Sequence, residues 1–493
     1  MVTRRTLLGA AALTAVAGAA TACTGEPGTP RPTTTRPAEP GPPDWPALRE
    51  KLRGGLVLPG DQGYPAAARV YNPLFDGRRP AAVARCERPA DVRACVEVAA
   101  GSRIPIAARS GGHSYAGYSN ADGALIADLS PMSSVDVRGG TAVIGAGAKL
   151  IDVYAGLAAQ GRCLPAGSCP TVGISGLTLG GGIGVLAREY GLTCDKLTAA
   201  EVVTADGKLV TASADAEPDL FWALRGGGGG NFGIVTSFTF DAPEAADLVV
   251  FSLRFDGAAA DVVAAWQEWI AGLPNEMWSN CVVSGGSPPT ARVGGCFVGT
   301  ERDCERLLAG FGPAASSRVV STKSYLDAMR YFAGCSAQSV RQCHAAAAGG
   351  NLGRESFVAS SRILAEPVGD TAALVGLVDG RARTDLLLDS LGGAVADVAP
   401  DATAFPHRTA LASAQIYAGA EAGGQAATRA VDEVRDGLGE LTGQLGYVNY
   451  IDPDMPDWAS AYYGDNLARL REVADRYDPD GVFAFAQGLT QPR

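Results

Sequence analysis

The chain has 493 residues and a formal net charge of −11, with 64 Gly, 11 Cys and only 3 His. The acidic balance excludes a basic nucleic-acid footprint, and a hydrophobic share of 47% excludes a disordered or fibrous chain. Three histidines are too few for multi-histidine metal chemistry, and no metal site is expected.

Residues 1–22 read as an export signal. Arg4 and Arg5 precede an apolar, alanine-rich run from Thr6 to Ala20, which fits a twin-arginine type. That run is too short and too small-residued for a membrane span, which takes about 20 strongly apolar residues. A buried N-terminal helix is the alternative. The stretch Ala20-Thr21-Ala22-Cys23 resembles a bacterial lipobox, with Ala20 where leucine is commoner. Lipidation at Cys23 would tether the chain to a membrane, its only expected membrane contact. Plain cleavage at the A-x-A site would release it. Residues 23–46 are rich in Pro and Thr and nearly free of apolar side chains, so they form an extended tether.

Residues 47–246 form a first domain. The run AVARCERPADVRACVEVAAGSRIPIAARSGG reads as strand, helix, strand and glycine loop, the helix opening at Pro89-Ala90-Asp91 with Val92, Cys95, Val96 and Ala99 on its apolar face. ALIADLSPM, TAVIGAGAKL, KLVTASAD and GNFGIVTSFTFDA are further strands, with a helix after Lys149. Residues 247–440 form a second domain. VVFSLRF, ARVGGCFVG and SFVASSRIL read as strands of an antiparallel sheet, interleaved with the helices DVVAAWQEWIAGL and RAVDEVRDGLGEL. In the segment 441–493, DNLARLREVADRY is amphipathic and helical.

Three glycine-rich stretches explain the composition. They are Arg109-Ser110-Gly111-Gly112-His113-Ser114-Tyr115; residues 167–184, with Cys169, Val172, Gly173, Gly176, Gly181 and Gly182; and residues 225–233, which run into Ile234. None is a Walker loop, and none is a G-x-G-x-x-G in a βαβ unit. Each alone could be a structural turn. Three in one domain favour a large phosphate-bearing cofactor, since successive backbone N–H groups free of Cβ can converge on an anion.

RSGGHSY, GSCPTVGISGLTLGGGIG, LRGGGGGNFGIVTSF and YVNYIDPD…YYGDNLARLREVADRYDPDGVF, in that order, resemble the berberine-bridge-enzyme-like family of FAD-linked oxidases from Tyr71 to the end. The resemblance implies an α+β fold: a two-part FAD-binding domain of PCMH type and a substrate domain whose antiparallel sheet, covered by helices, roofs the flavin ring. Residues 441–493 then return to the FAD side. It implies FAD held by two covalent bonds, from His113 to the 8α-methyl and from Cys169 to C6. Arg109, Ser110, Gly111, Gly112, Ser114, Tyr115, Val172, Gly173, Gly176, Gly181, Gly182, Ile234 and Asn449 would line the cofactor. Without the motifs, His113 reads as a satisfied loop histidine and Cys169 as a small buried hydrophobe.

The resemblance further implies Tyr450, the second tyrosine of Tyr447-Val448-Asn449-Tyr450, as the base for a substrate hydroxyl, and Tyr190 and Gln415 as residues facing the substrate. Gln cannot take a proton, and a phenol needs a stabilising neighbour to act near neutral pH. Tyr190 and Tyr417 could equally be aromatic packing. His407 and His344 receive no catalytic role. A small Val172 near the oxygen-access side resembles the oxidases, which makes O2 the expected acceptor and a small-molecule alcohol or sugar the expected substrate. A dehydrogenase with a non-oxygen acceptor and a non-catalytic solute-binding lipoprotein are the rival readings. Cysteine pairing stays open, with Cys86–Cys95 and Cys335–Cys343 as candidates.

Overall fold

Short β-branched strands and alanine-rich helices give three sheets in the computed structural model, which describes residues 41–421 and 423–490. The residues expected to form an export signal, Cys23 and most of the expected proline-rich tether lie outside the described residues. Strands β1 (Leu56–Val57), β2 (Ala82–Arg85), β3 (Ile106–Arg109) and β4 (Leu125–Asp128) form a four-stranded sheet in the order β1-β2-β4-β3. β4 runs parallel to both β2 and β3, because the helix Pro89–Ser102 carries the chain back between β2 and β3. That helix starts with Pro at its first position and buries Val92, Cys95, Val96 and Ala99, the face expected from periodicity.

β5 (Val135–Arg138), β6 (Thr141–Gly145), β7 (Leu197–Val203), β8 (Leu209–Ser213) and β9 (Ile234–Asp241) make an antiparallel sheet in the order β5-β6-β9-β7-β8. The two smaller sheets share one apolar core with the helix Leu150–Ala158 and with Tyr462, Tyr463 and Leu470 from the end of the chain. The helix Leu467–Tyr477 is fixed to this part by Arg469 and Arg476, which both pair with Asp219.

The remaining strands are β10 (Leu248–Phe255), β11 (Met277–Ser284), β12 (Thr290–Val298), β13 (Ser317–Lys323), β14 (Phe357–Leu364), β15 (Thr384–Ser390) and β16 (Ala412–Gly419). They form one antiparallel sheet, β13-β10-β12-β11-β15-β16-β14. Its two faces follow from the period of two. On β16, Ala412, Ala414, Ile416 and Ala418 point into a core with the helices Ala259–Ala271 and Gly424–Thr442, where Trp266 is fully buried. Burial of a large aliphatic side chain such as Ile416 contributes about 1.5–3 kcal/mol by removing it from water, and each alanine methyl less. Ser413, Gln415 and Tyr417 alternate with them and lie on the opposite face. Cross-strand pairing puts Asn280 beside Asp389, Asp389 beside Ser413, and Ser361 beside Gln415 on that same face.

Cys335 and Cys343 form a disulfide. Cys86 and Cys95, the other candidate pair, are free thiols with their sulfurs 4.0 Å apart.

Candidate active site

The first glycine loop leaves the C-terminal end of β3, where parallel strands present their loops for ligand binding. Arg109, the last residue of β3, pairs with Asp128 at the end of β4 (3.0 Å), so it pins two strand ends together. Gly111 and Gly173 bring the first and second loops into backbone contact. A Cβ on Gly111 would lie 2.2 Å from Gly173 N, and a Cβ on Gly173 would lie 2.1 Å from Ser110 Oγ. The junction is tied by Ser110 Oγ and Ser175 Oγ, which both donate to Ala146 O (2.6 and 2.5 Å). Lys149 Nζ donates to Ser110 O and Gly147 O (2.5 and 3.3 Å). Burial pushes the Lys149 ammonium down to about 8.

His113 and Cys169 meet at this junction. His113 Nε2 lies 2.9 Å from Thr171 Oγ1, and Cys169 Sγ lies 3.8 Å from the same oxygen. The Tyr71 ring stacks on the imidazole, 3.9 Å between centroids and 19° between planes, and Tyr71 N donates to Gly112 O. Loss of solvation, reinforced by the Lys149 charge, depresses the His113 pKa to about 3, so the imidazole is neutral. Desolvation raises the Cys169 thiol, against a lowering by the Thr171 hydroxyl and the Thr171 and Val172 N–H groups.

The roof closes over this junction from the larger sheet. Gln415 Nε2 donates to Tyr115 Oη (2.6 Å), and the Tyr115 ring stacks on Tyr450, 5.5 Å between centroids with 4° between planes. Phe357 meets Tyr115 edge-on and stacks on Tyr417, whose hydroxyl donates to Glu355 (3.1 Å). Thus Tyr115 of the first loop, Gln415 of β16 and Tyr450 of the C-terminal segment form one cluster. Burial lifts the Tyr450 phenol well above its ordinary value, and the carboxylate of Asp389 adds to the rise. Burial likewise raises Asp389 to about 7, partly offset by a hydrogen bond from Asn280.

Tyr447 joins roof and glycine loop. Its hydroxyl accepts from Gly182 N (2.9 Å), Ile183 N (3.2 Å) and Asn449 Nδ2 (2.9 Å), while its backbone N–H donates to Ser361 Oγ of β14. Burial pushes this phenol up to about 12 despite the three donors. Asn449 Nδ2 also donates to Leu177 O.

Several expected lining residues have protein partners here. Ser114 Oγ accepts from Tyr118 N, and Gly181 and Gly182 pack against Phe405 and Thr193. Both glycines have positive φ, +118° and +89°, a backbone conformation that residues with a Cβ rarely adopt. In the third stretch, Gly226 abuts Phe405 and Gly228 abuts Tyr463 Oη, and Ile234 is buried as the first residue of β9. Those glycines allow close packing of chain on chain. Gly176 differs: it is exposed, and a Cβ there would meet nothing within 4 Å. Val172 is partly buried at the edge of the main core. Tyr190 ends the short helix Ala187–Tyr190, with Lys196 Nζ 6.0 Å above its ring, and packs partly buried against the main core. His407 is buried edge-on to Phe405, and His344 pairs with Asp152 (2.9 Å).

The donor set fits FAD. A neutral imidazole and a thiol share one hydroxyl, and the open Gly176 lies five residues past Thr171 in the same stretch. Aromatic and polar groups face the junction from the roof. Sheet plan and site together define a flavin-dependent oxidoreductase. The family model for an FAD binding domain matches residues 80–213, and the model for berberine and berberine-like proteins matches residues 446–490. The chain is 34% identical over 457 residues to the uncharacterized FAD-linked oxidoreductase YgaK of Bacillus subtilis, covering 90% of this chain and 98% of that one. It is 32% identical to the chitooligosaccharide oxidase of Gibberella zeae, over 87% of this chain and 91% of that one. The solved structure of Physcomitrella patens BBE-like 1 superposes with a TM-score of 0.84 at 29% identity, covering 91% of this chain and 99% of that chain. The chain therefore belongs to the berberine-bridge-enzyme-like family of FAD-linked oxidases, and its cofactor is FAD.

Thr171, Lys149, Tyr447 and Asp389 were not singled out from sequence. Tyr447 stood in a motif that had been recognised for Tyr450. Asp389 has a weaker signal, as one of two acids, with Asp385, that flank the run Leu386–Leu388 in the strand Thr384–Ser390.

Proposed function

We propose that this chain is an exported oxidase with FAD attached through both His113 and Cys169, and that it oxidises a hydroxyl group of a small molecule with O2 as acceptor. The observation that carries the reading is the convergence of His113 and Cys169 on one hydroxyl, beneath a roof that brings Gln415 and Tyr115 to Tyr450. The preferred substrate is a sugar or oligosaccharide oxidised at C1 to the lactone, supported by the chitooligosaccharide oxidase relative and by the export signal. An alcohol on a secondary metabolite is the other candidate. Contact with a membrane would come only through a lipid on Cys23; without the lipid the protein would be secreted.

In this reading FAD, held by His113 and Cys169, would supply a hydride acceptor at N5 and a route for the electrons to O2, with H2O2 as product. Tyr450 removes the hydroxyl proton, and Tyr115 and Gln415 fix its ring from the first loop and the roof. Tyr417, half-buried and stacked on the buried Phe357, offers aromatic surface beside this cluster. His113 and Cys169 together hold the cofactor against tilting, which leaves the roof side free for a bulky substrate.

Oxygen consumption with equimolar peroxide release, measured across a panel of oligosaccharides and aromatic alcohols, tests the reading. Bleaching of the flavin by substrate without oxygen uptake would replace the oxidase by a dehydrogenase. Failure of every substrate to bleach it would leave a solute-binding protein.

A further inference from the structure

Thr171 Oγ1 is in contact with both prospective attachment residues. It is buried, at 7% exposure, in the turn between Cys169 and Gly173. That turn is held by Leu150 N and Ile151 N, which donate to Val172 O and Pro170 O. The hydroxyl therefore has a fixed origin. A threonine hydroxyl can accept from one neighbour while donating to another. An imidazole that donates from Nε2 must carry its free lone pair on Nδ1. A sulfur that receives a hydrogen bond is stabilised as thiolate, the nucleophilic form.

We propose that the Thr171 hydroxyl is the positioning group for both covalent attachments: it accepts from His113 Nε2 and donates to Cys169 Sγ, so that a single side chain selects the nucleophilic form of each. The proposal rests on the bicovalent reading of the site. Tyr71, stacked on the imidazole, fixes the ring plane, while Thr171 fixes its rotation within that plane. In attachment, His113 exchanges a ring N–H, and Cys169 its S–H, for a bond to a cofactor carbon that gives up one hydrogen. Each bond sends two electrons and two protons into the isoalloxazine, and one O2 removes them as H2O2. Thr171 is unchanged at the end of either step.

The test uses the full-length protein in two backgrounds that leave one link each, Cys169→Ala for the histidyl bond and His113→Ala for the cysteinyl bond. Each is prepared with Thr171, Thr171→Val and Thr171→Ser. The protein is incubated in air with excess FAD, samples are precipitated in acid at intervals, and flavin retained by the pellet is counted per chain. Loss of the hydroxyl in Thr171→Val should slow attachment about tenfold in both backgrounds, the equivalent of one hydrogen bond. Non-covalent FAD binding should persist, and Thr171→Ser should restore the rate. Unchanged attachment in Thr171→Val, slowing in only one background, or failure of Thr171→Ser to restore the rate would each overturn the proposal. If neither background retains flavin with Thr171 intact, the bicovalent reading itself fails, whatever the role of Thr171.

Discussion

Tyr115 lies face to face with Tyr450, 5.5 Å between ring centroids and with planes 4° apart, although 335 positions (450 − 115) separate them in the chain. The stack joins the first glycine loop to the C-terminal segment, and Gln415 binds the Tyr115 hydroxyl from the sheet above. One face of the proposed base is thereby covered, and its orientation is set from the first glycine loop and the larger sheet.

Tyr450→Phe keeps the stack and removes the phenol oxygen. Flavin reduction by substrate should fall by about 10²–10⁴, the usual contribution of general base catalysis. Acid-stable flavin should stay at the wild-type amount. Rapid-mixing absorbance at the flavin band measures the first quantity, and an unchanged rate removes Tyr450 from the mechanism.

The rate should rise with pH. Burial holds the Tyr450 phenol well above its ordinary value, so the proton-accepting form grows with each unit below that pKa. The expected profile of kcat/KM climbs toward alkaline pH with no plateau near neutrality. A plateau beginning below about pH 7 would mean that a different group, of ordinary acidity, takes the proton.

His113→Ala and Cys169→Ala should each keep one link to FAD and so remain yellow after acid precipitation, whereas the double variant should release all flavin. Release from either single variant would show that only the residue removed there forms a bond.

Two glycines in the second stretch should behave oppositely toward folding. Gly173→Ala forces a methyl into Ser110 Oγ and Gly111 N and should cost about 1–3 kcal/mol in urea unfolding. Gly176 sits in the helix Ile174–Leu179 with open space before it, so Gly176→Ala should be neutral or stabilising by about 0.5–1 kcal/mol. If that open space is where FAD lies, Gly176→Ala should nevertheless bind FAD less tightly, as read by flavin fluorescence on titration.

Asp389 makes stability fall as pH rises. Its carboxyl is raised from an ordinary value of 3.8 to about 7 by burial. Between these values the unfolded chain has released a proton that the folded chain keeps, so folding loses ground up to pH 7 and the penalty is complete above it. Asp389→Asn should therefore gain nothing near pH 4 and up to about 3 kcal/mol at pH 8, after allowance for partial exposure to the cleft. Urea midpoints at the two pH values measure it, and an equal gain at both would exclude titration of Asp389 as the cause.

The helix Pro89–Ser102 and the strand Ile234–Asp241 were legible because each has a single buried stripe whose period survives in the sequence. Tyr450, His113 and Cys169 stand out as candidates in the sequence because they sit in short contiguous motifs. β11, β13, β15 and β16 were not read as strands. β15 and β16 carry polar residues on one face that look like interruptions until their neighbours are known. The composition of the third glycine stretch points to a cofactor, and only the structure shows that Gly226 and Gly228 also meet Phe405 and Tyr463, residues far along the chain.

By itself the sequence determined the order of motifs, the α+β class and the flavin family, since each is written in local residue patterns or in a run of neighbours. Only the tertiary structure decided which groups share the site. The Thr171 hydroxyl between His113 and Cys169, the Tyr115–Tyr450 stack under Gln415, and Asp389 beside Asn280 all depend on register and loop packing. Contacts of that kind are fixed by the burial of whole elements against one another, so no local pattern records them.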